Sequence, residues 1–379
     1  MKRIVILCDG TWNDTDAPHP TNVVRLGQMV GGVDTEDRIQ VPVYIEGVGT
    51  GRRGVTRLGR LADRTLGGGL GLGLMENVVE AYRHLVFLWE PGDRVMLFGF
   101  SRGAFTARSL AGFIRNTGLL ARSDLDRLPE AVARYTRRRG VSAHERQMLN
   151  AEWRAEHSPH VLVDPADRDL YDDPDADRFV IDHLGVWDTV GALGVPRSLG
   201  GLGGRRFRFH DTALTPMVLS ARHAVALDER RRDFAPTLWS NLDALNEGPQ
   251  TPDSRYQERW FPGDHGAVGG GGALTGLSSI ALGWLMDGAQ AAGLRLDPVL
   301  AEAVRAEHDP AALPRNSEVP RGGPFAALMR RFGRDRDGPH GFHGVHEAAR
   351  RRWKAGLNPA YRPQGLARLA RDLDAWRDG

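Results

Sequence analysis

Short apolar runs, each followed by a stretch of helical periodicity, recur along the first 290 residues. The runs at 4–8, 40–45, 94–98, 179–186, 224–227 and 259–262 predict strands, and they are continuous rather than alternating in polarity, as strands covered on both faces are. Helical patterns lie between them. In residues 74–89, Val78, Val79, Tyr82, Leu85 and Val86 fall on one stripe, and Pro91-Gly92-Asp93 stops the helix before the next strand. Residues 104–115 and 278–292 predict two further helices. This alternation implies an α/β fold with a mostly parallel central sheet flanked by helices, which binds ligands at the carboxyl ends of its strands.

Two stretches break the rhythm. Residues 117–178 carry Arg-rich helical sequence and an acidic run at 164–177, which predict a helical insertion over the sheet. Residues 307–344 are rich in Pro, Gly, Arg and Asp without apolar periodicity, which predicts a long surface loop. The domain reading is one α/β unit over 1–300 with the insertion at about 117–178, and a C-terminal extension over 301–379 packed on the same unit.

Composition narrows the classes. With 41% hydrophobic and 26% charged residues the chain is globular, and its 47 glycines follow no collagen period. A formal charge of +2 is the small difference between 50 basic and 48 acidic residues, so no nucleic-acid partner is expected. Cys8 is the single cysteine and is expected in the core of a chain made in a reducing cytoplasm. The five apolar residues after Met1-Lys2-Arg3 are too few for a signal-peptide core and read as a buried first strand.

Candidate chemistry starts at Gly99-Phe100-Ser101-Arg102-Gly103-Ala104. Among so many glycines, Gly-x-Ser-x-Gly alone is a weak signal. An apolar strand enters it, however, and a small-residue helix leaves it, which is the context of a nucleophile elbow. Gly99 and Gly103 then leave room for the reversing backbone, and the Arg102 N–H points where an oxyanion would form. A serine nucleophile needs an acid and then a histidine later in the chain. Asp188 ends the strand in Gly185-Val-Trp-Asp188-Thr-Val, with Asp182 as a mid-strand rival. His265 follows the strand in Trp260-Phe-Pro-Gly-Asp-His265, with His223 as its rival, whereas His84 reads as a packed helical residue. The turn Cys8-Asp9-Gly10-Thr11 ends the first strand, where the Gly10 or Thr11 N–H is placed to be a second oxyanion donor and Asp9 to brace the turn.

Other patterns carry less. Gly49-Thr-Gly-Arg-Arg-Gly54 has the letters of a dinucleotide fingerprint but opens no amphipathic helix and is followed by no strand-ending acid about 20 residues on. Residues 51–73 read as a mobile glycine loop, and Arg52, Arg53, Arg57 and Arg60 as a solvated basic face. His340, His343 and His346 have helical spacing, but Gly341 and Gly344 argue against a helix, so no metal site is assigned.

Taken together, Cys8-Asp-Gly-Thr-Trp-Asn13, Thr21-Asn-Val23, Tyr44-Ile-Glu-Gly-Val-Gly-Thr50, Gly99-Phe-Ser-Arg-Gly-Ala104, Gly185-Val-Trp-Asp-Thr-Val190, Arg222-His-Ala224 with Asp228-Glu-Arg230, and Trp260-Phe-Pro-Gly-Asp-His265 with Val268-Gly-Gly-Gly271 resemble one family. It is the α/β-hydrolase family of bacterial and fungal proteins that includes the type VI secretion phospholipase effectors. The segments span residues 1–290 in family order. The chain departs from the family at Gly266-Ala267, where Ser-Asp is common, and lacks the long amphipathic segment that the effectors usually add for membrane docking.

The resemblance implies Ser101 as nucleophile, Asp188 as acid and His265 as base, with backbone donors at Arg102, Gly10 and Thr11 and no cofactor. The reading is a serine hydrolase of carboxylic esters, of lipase or phospholipase type, meeting lipid or a membrane surface transiently. Its alternatives are a small-molecule esterase or thioesterase, and a non-catalytic ligand-binding protein on a hydrolase scaffold. The chain is expected in the cytoplasm as synthesised, with signal-less export through a type VI-like system open to it.

Overall fold

The computed structural model describes residues 1–10, 16–47, 69–136, 142–191, 212–316, 333–357 and 359–377. Six strands, β1 (Lys2–Cys8), β2 (Ile39–Ile45), β3 (Arg94–Phe100), β4 (Ile181–Trp187), β5 (Ala221–Ala226) and β6 (Tyr256–Phe261), form one sheet in the order β2-β1-β3-β4-β5-β6. Every pairing in it is parallel. All six runs anticipated from the sequence are strands, shifted by a few residues at their ends. Register sets Cys8 beside Gly99, Phe100 beside Trp187, Trp187 beside Ala224, and Ala226 beside Phe261, so the strands finish along one edge. The chain moves outward from β1 to β2 and then returns to β3 on the other side of β1, which opens a crevice at the carboxyl ends of β1 and β3.

Alternate residues of each strand feed two apolar layers. Ile4, Ile6, Cys8, Val95 and Leu97 face helices α2 (Gly69–Leu88) and α3 (Arg102–Thr117). Val5, Leu7, Met96, Phe98 and Phe100 face the layer that holds α1 (Asn22–Met29), α6 (His265–Gly269) and α7 (Gly276–Ala291). The insertion contributes α4 (Leu128–Thr136), α5 (Ala143–His157) and a two-stranded pair, Val161–Leu162 with Asp177–Arg178. Its Leu128, Ala131, Trp153 and Val161 join the α2–α3 layer. Among the described residues no helix is long and apolar enough to cross a membrane.

A third apolar cluster covers the β6 edge. Val225, Leu227 and Trp260 pack against Val345, Ala349, Trp353, Leu366, Leu369 and Leu373, from a segment that includes α9 (Glu347–Lys354) and α10 (Ala370–Ala375); α8 (Pro298–Ala306) precedes it. Val345 bridges Trp260 in parallel. Residues 307–316 and 333–341 form neither helix nor strand, as the long-loop reading of 307–344 expects, and they also bond to the body of the fold. Pro314 accepts a backbone hydrogen bond from Asp264, Asn316 from Leu274, and Arg336 is 8% exposed.

The glycine-loop reading also changes at its end: Gly69 to Gly73 lie in α2, which starts five residues before the helical stretch expected from residue 74. His84 is exposed on that helix rather than packed. Residues 48–68, with Arg52, Arg53, Arg57 and Arg60, lie outside the described residues.

Candidate active site

Strand β3 runs out at Phe100, and the next residue turns the chain into α3. Ser101 takes φ 58° and ψ −120°, a strained conformation for a residue with a Cβ, and its side chain makes no capping bond to the helix it precedes. The first-turn N–H groups of α3, Arg102 among them, are therefore not capped by the serine. The Ser101 N–H is tied to the Trp187 carbonyl at 3.0 Å, which fixes the turn beside the end of β4. Small residues are obligatory around it. A Cβ on Gly99 would lie 2.4 Å from the Gly103 carbonyl oxygen, and one on Gly103 would lie 2.1 Å from that of Cys8.

Asp188 follows β4 directly, at φ 39° and fully buried. Its Oδ2 accepts a hydrogen bond of 2.6 Å from His265 Nδ1, and its Oδ1 accepts from the Ala226 N–H at 2.9 Å. A carboxylate can only accept, so His265 carries its proton on Nδ1 and, when neutral, presents a bare Nε2. The imidazole lies between Phe100 and Phe234, whose ring centroids are 4.6 and 4.9 Å away. Contact with Phe100 sets it beside the residue preceding Ser101.

The second partner of Asp188 is a residue the sequence reading passed over. Arg336 Nη1 donates to Asp188 Oδ1 at 2.6 Å and Nη2 to Oδ2 at 3.0 Å; the same nitrogens donate to the Ala226 carbonyl at 2.7 Å and the Phe234 carbonyl at 2.6 Å. Burial by itself would raise the Asp188 pKa, but the Arg336 charge and the His265 hydrogen bond outweigh it and hold the carboxyl well below the usual carboxylate range.

Further carboxylates hold the loop that carries His265. Asp228 Oδ2 accepts from the Gly263 N–H at 2.6 Å, and Glu229 accepts from the His265 N–H at 3.3 Å while chelated by Arg231. Asp264 caps α6 through the Ala267 N–H at 2.9 Å, and burial raises its pKa. In the sequence these roles show as the acidic pair one residue after β5 and as Asp264 beside His265.

The rivals fall to structural work. His223 donates from Nδ1 to Glu258 at 2.9 Å and accepts the Thr189 N–H on Nε2 at 3.2 Å, so both nitrogens are used and it steadies the turn after Asp188. Burial lowers its pKa against the pull of Glu258. Asp182 lies near the amino end of β4 rather than mid-strand, in a buried network with Arg3, Arg94 and Asp34 at the opposite end of the sheet. Asp9 braces its turn by accepting from Thr21 Oγ1 at 2.7 Å and the Tyr44 hydroxyl at 2.9 Å. It also takes the Gly10 N–H at 2.6 Å, so that expected oxyanion donor is committed to a carboxylate here. Thr11 lies outside the described residues. His340 contacts Arg368, while His346 caps α9 and stacks on Phe261 at 4.0 Å, so the histidine triplet diverges.

A sequence model of the family described as T6SS, phospholipase effector Tle1-like, catalytic domain, matches residues 2–288. The chain belongs to this family. Arg336 falls beyond the matched residues. Among curated relatives, the uncharacterized protein YEL023C of Saccharomyces cerevisiae is 28% identical over 254 residues, covering 62% of this chain and 32% of that protein. A crystal structure of an uncharacterized protein from Pseudomonas aeruginosa aligns with 99% of this chain and 59% of its own, at 19% identity and a TM-score of 0.44. The Tle1 effector bound to the VgrG spike of the type 6 secretion system aligns with 71% of this chain and 51% of its own, at 18% identity and a TM-score of 0.36. The chain thus spans about a third of the curated relative and between half and three-fifths of the two solved chains.

Proposed function

We propose that this chain is a serine hydrolase of carboxylic esters, acting on the acyl esters of lipids or phospholipids through an acyl-serine intermediate. The observation that carries the reading is the 2.6 Å contact between Asp188 and His265 Nδ1, made beside a serine held at positive φ where a strand turns into a helix. Family membership supports the lipid ester as the substrate class.

In this reading His265 Nε2 takes the Ser101 proton as Oγ attacks the acyl carbonyl, while Asp188 holds the tautomer and orientation of the ring. Negative charge on the tetrahedral oxygen meets the Arg102 N–H at the positive end of α3. The Gly10 N–H, one of the two expected second donors, is committed to Asp9. His265 then passes the proton to the leaving alcohol oxygen, and a water activated by the same nitrogen releases the acid. The Ser101 side chain makes no capping bond to α3, which leaves Oγ uncommitted to the helix it precedes.

Mass spectrometry of phospholipid vesicles incubated with wild type and with Ser101→Ala tests the proposal. The expected result is release of free fatty acid and lysophospholipid by the wild type alone. Equal release by Ser101→Ala rejects the serine mechanism, and hydrolysis of short soluble esters without phospholipid turnover moves the assignment to a small-molecule esterase.

A further inference from the structure

The reading of Ser101, Asp188 and His265 given above leaves unexplained why a second cation is built onto the acid. Arg336 meets Asp188 with a parallel pair of hydrogen bonds, the strongest geometry open to a guanidinium and a carboxylate. Its two remaining bonds go to the Ala226 and Phe234 carbonyls, so one buried side chain ties together the turn after β4, the end of β5 and the ring that packs on His265.

Charge counting gives the consequence. With His265 neutral, the buried group holds one anion and one cation. When His265 gains a proton, two cations share a single carboxylate, and the guanidinium cannot release its own proton. We propose that Arg336 is a positioning residue that fixes Asp188 and, as its counter-charge, sets the pH below which the Ser101–His265 pair ceases to work. The other charged groups facing the imidazole are Glu229, itself paired with Arg231, and Asp264. Among the described residues Arg336 is the one guanidinium bonded to Asp188.

The test measures kcat/KM against pH for hydrolysis of a p-nitrophenyl ester by wild type, Arg336→Gln and Arg336→Lys, with fluorophosphonate titration of active serine and thermal melting to establish folding. For Arg336→Gln the acidic limb moves up by about one pH unit or more, since the Asp188–His265 pair then binds its proton without opposition. Rate at neutral pH falls about tenfold or more, mainly in kcat. Arg336→Lys keeps the charge without the bidentate fork, so it loses rate while its limb stays near that of the wild type. A folded Arg336→Gln whose limb does not move overturns the inference, however much rate it has lost. Should Arg336→Gln fail to fold, Arg336→Met, of similar length and uncharged, takes its place: a raised limb upholds the inference and an unmoved limb overturns it. A wild type that neither hydrolyses the ester nor labels at Ser101 rejects the reading of the site and this inference with it, whereas a labelled wild type with an unmoved Arg336→Gln limb rejects the inference alone.

Discussion

At the scale of single residues, Asp188 accepts from an imidazole, a guanidinium and a backbone N–H within a fully buried turn. Asp188→Asn replaces an acceptor-only group with an amide that has to offer donors to Arg336 or His265. It is expected to cut kcat/KM by about 10³ to 10⁴, as neutralising the acid of such a triad does, measured with a soluble ester. His223 is the contrasting case, because it carries hydrogen bonds but no chemistry in this account. His223→Gln is expected to lower stability by about 1–3 kcal/mol in urea denaturation while leaving kcat/KM within about tenfold of wild type. Ser101, Asp188 and His265 were legible in sequence because each directly follows, or lies a few residues beyond, an apolar run. Arg336 was not, since nothing in its local pattern separates it from the other arginines in a chain whose 50 basic residues include only Lys2 and Lys354 as lysines.

At the scale of elements, the strand-to-helix turn is limited by space. Gly103→Ala would drive a methyl group to 2.1 Å from the Cys8 carbonyl oxygen, backbone that cannot rotate away. The expected cost is about 3 kcal/mol or more, read as a lower urea midpoint or as loss of soluble protein. The cap of α6 offers a change of opposite sign. Burial raises the Asp264 pKa, so its ionised form costs stability at neutral pH, and that cost disappears as pH falls through the raised value. Asn caps a helix equally well, so Asp264→Asn is expected to stabilise the fold by about 0.5 kcal/mol or more at pH 7, with melting temperatures converging in acid.

Strands were the legible elements, because continuous β-rich apolar runs bounded by turn residues allow few alternatives. Helix ends were less so. The glycines at the start of α2 have poor helix propensity, and the helix extends through them regardless. The outward face of His84 differs from the packed reading because apolar spacing alone does not fix how wide the buried stripe is.

At the scale of the whole molecule, the sheet is covered by two helical layers and, at its β6 edge, by the segment that delivers Arg336. Trp353, 4% exposed, anchors that segment over β5 and β6. Trp353→Ala should cost about 3–5 kcal/mol, and activity should be lost at the same urea concentration as the fold, since the segment supplies a ligand to Asp188. This dependence was hidden in the sequence because Arg336 precedes the apolar residues of the segment, and its hydrogen bonds reach partners more than 100 residues away.

The central claim is that Ser101 carries the acyl group. Acid quenching within seconds of mixing with a slowly hydrolysed ester, followed by mass analysis of the peptides, tests it directly. The account predicts one added acyl mass on Ser101, absent from Ser101→Ala. An acyl group on any other residue, or steady hydrolysis by Ser101→Ala, would contradict it.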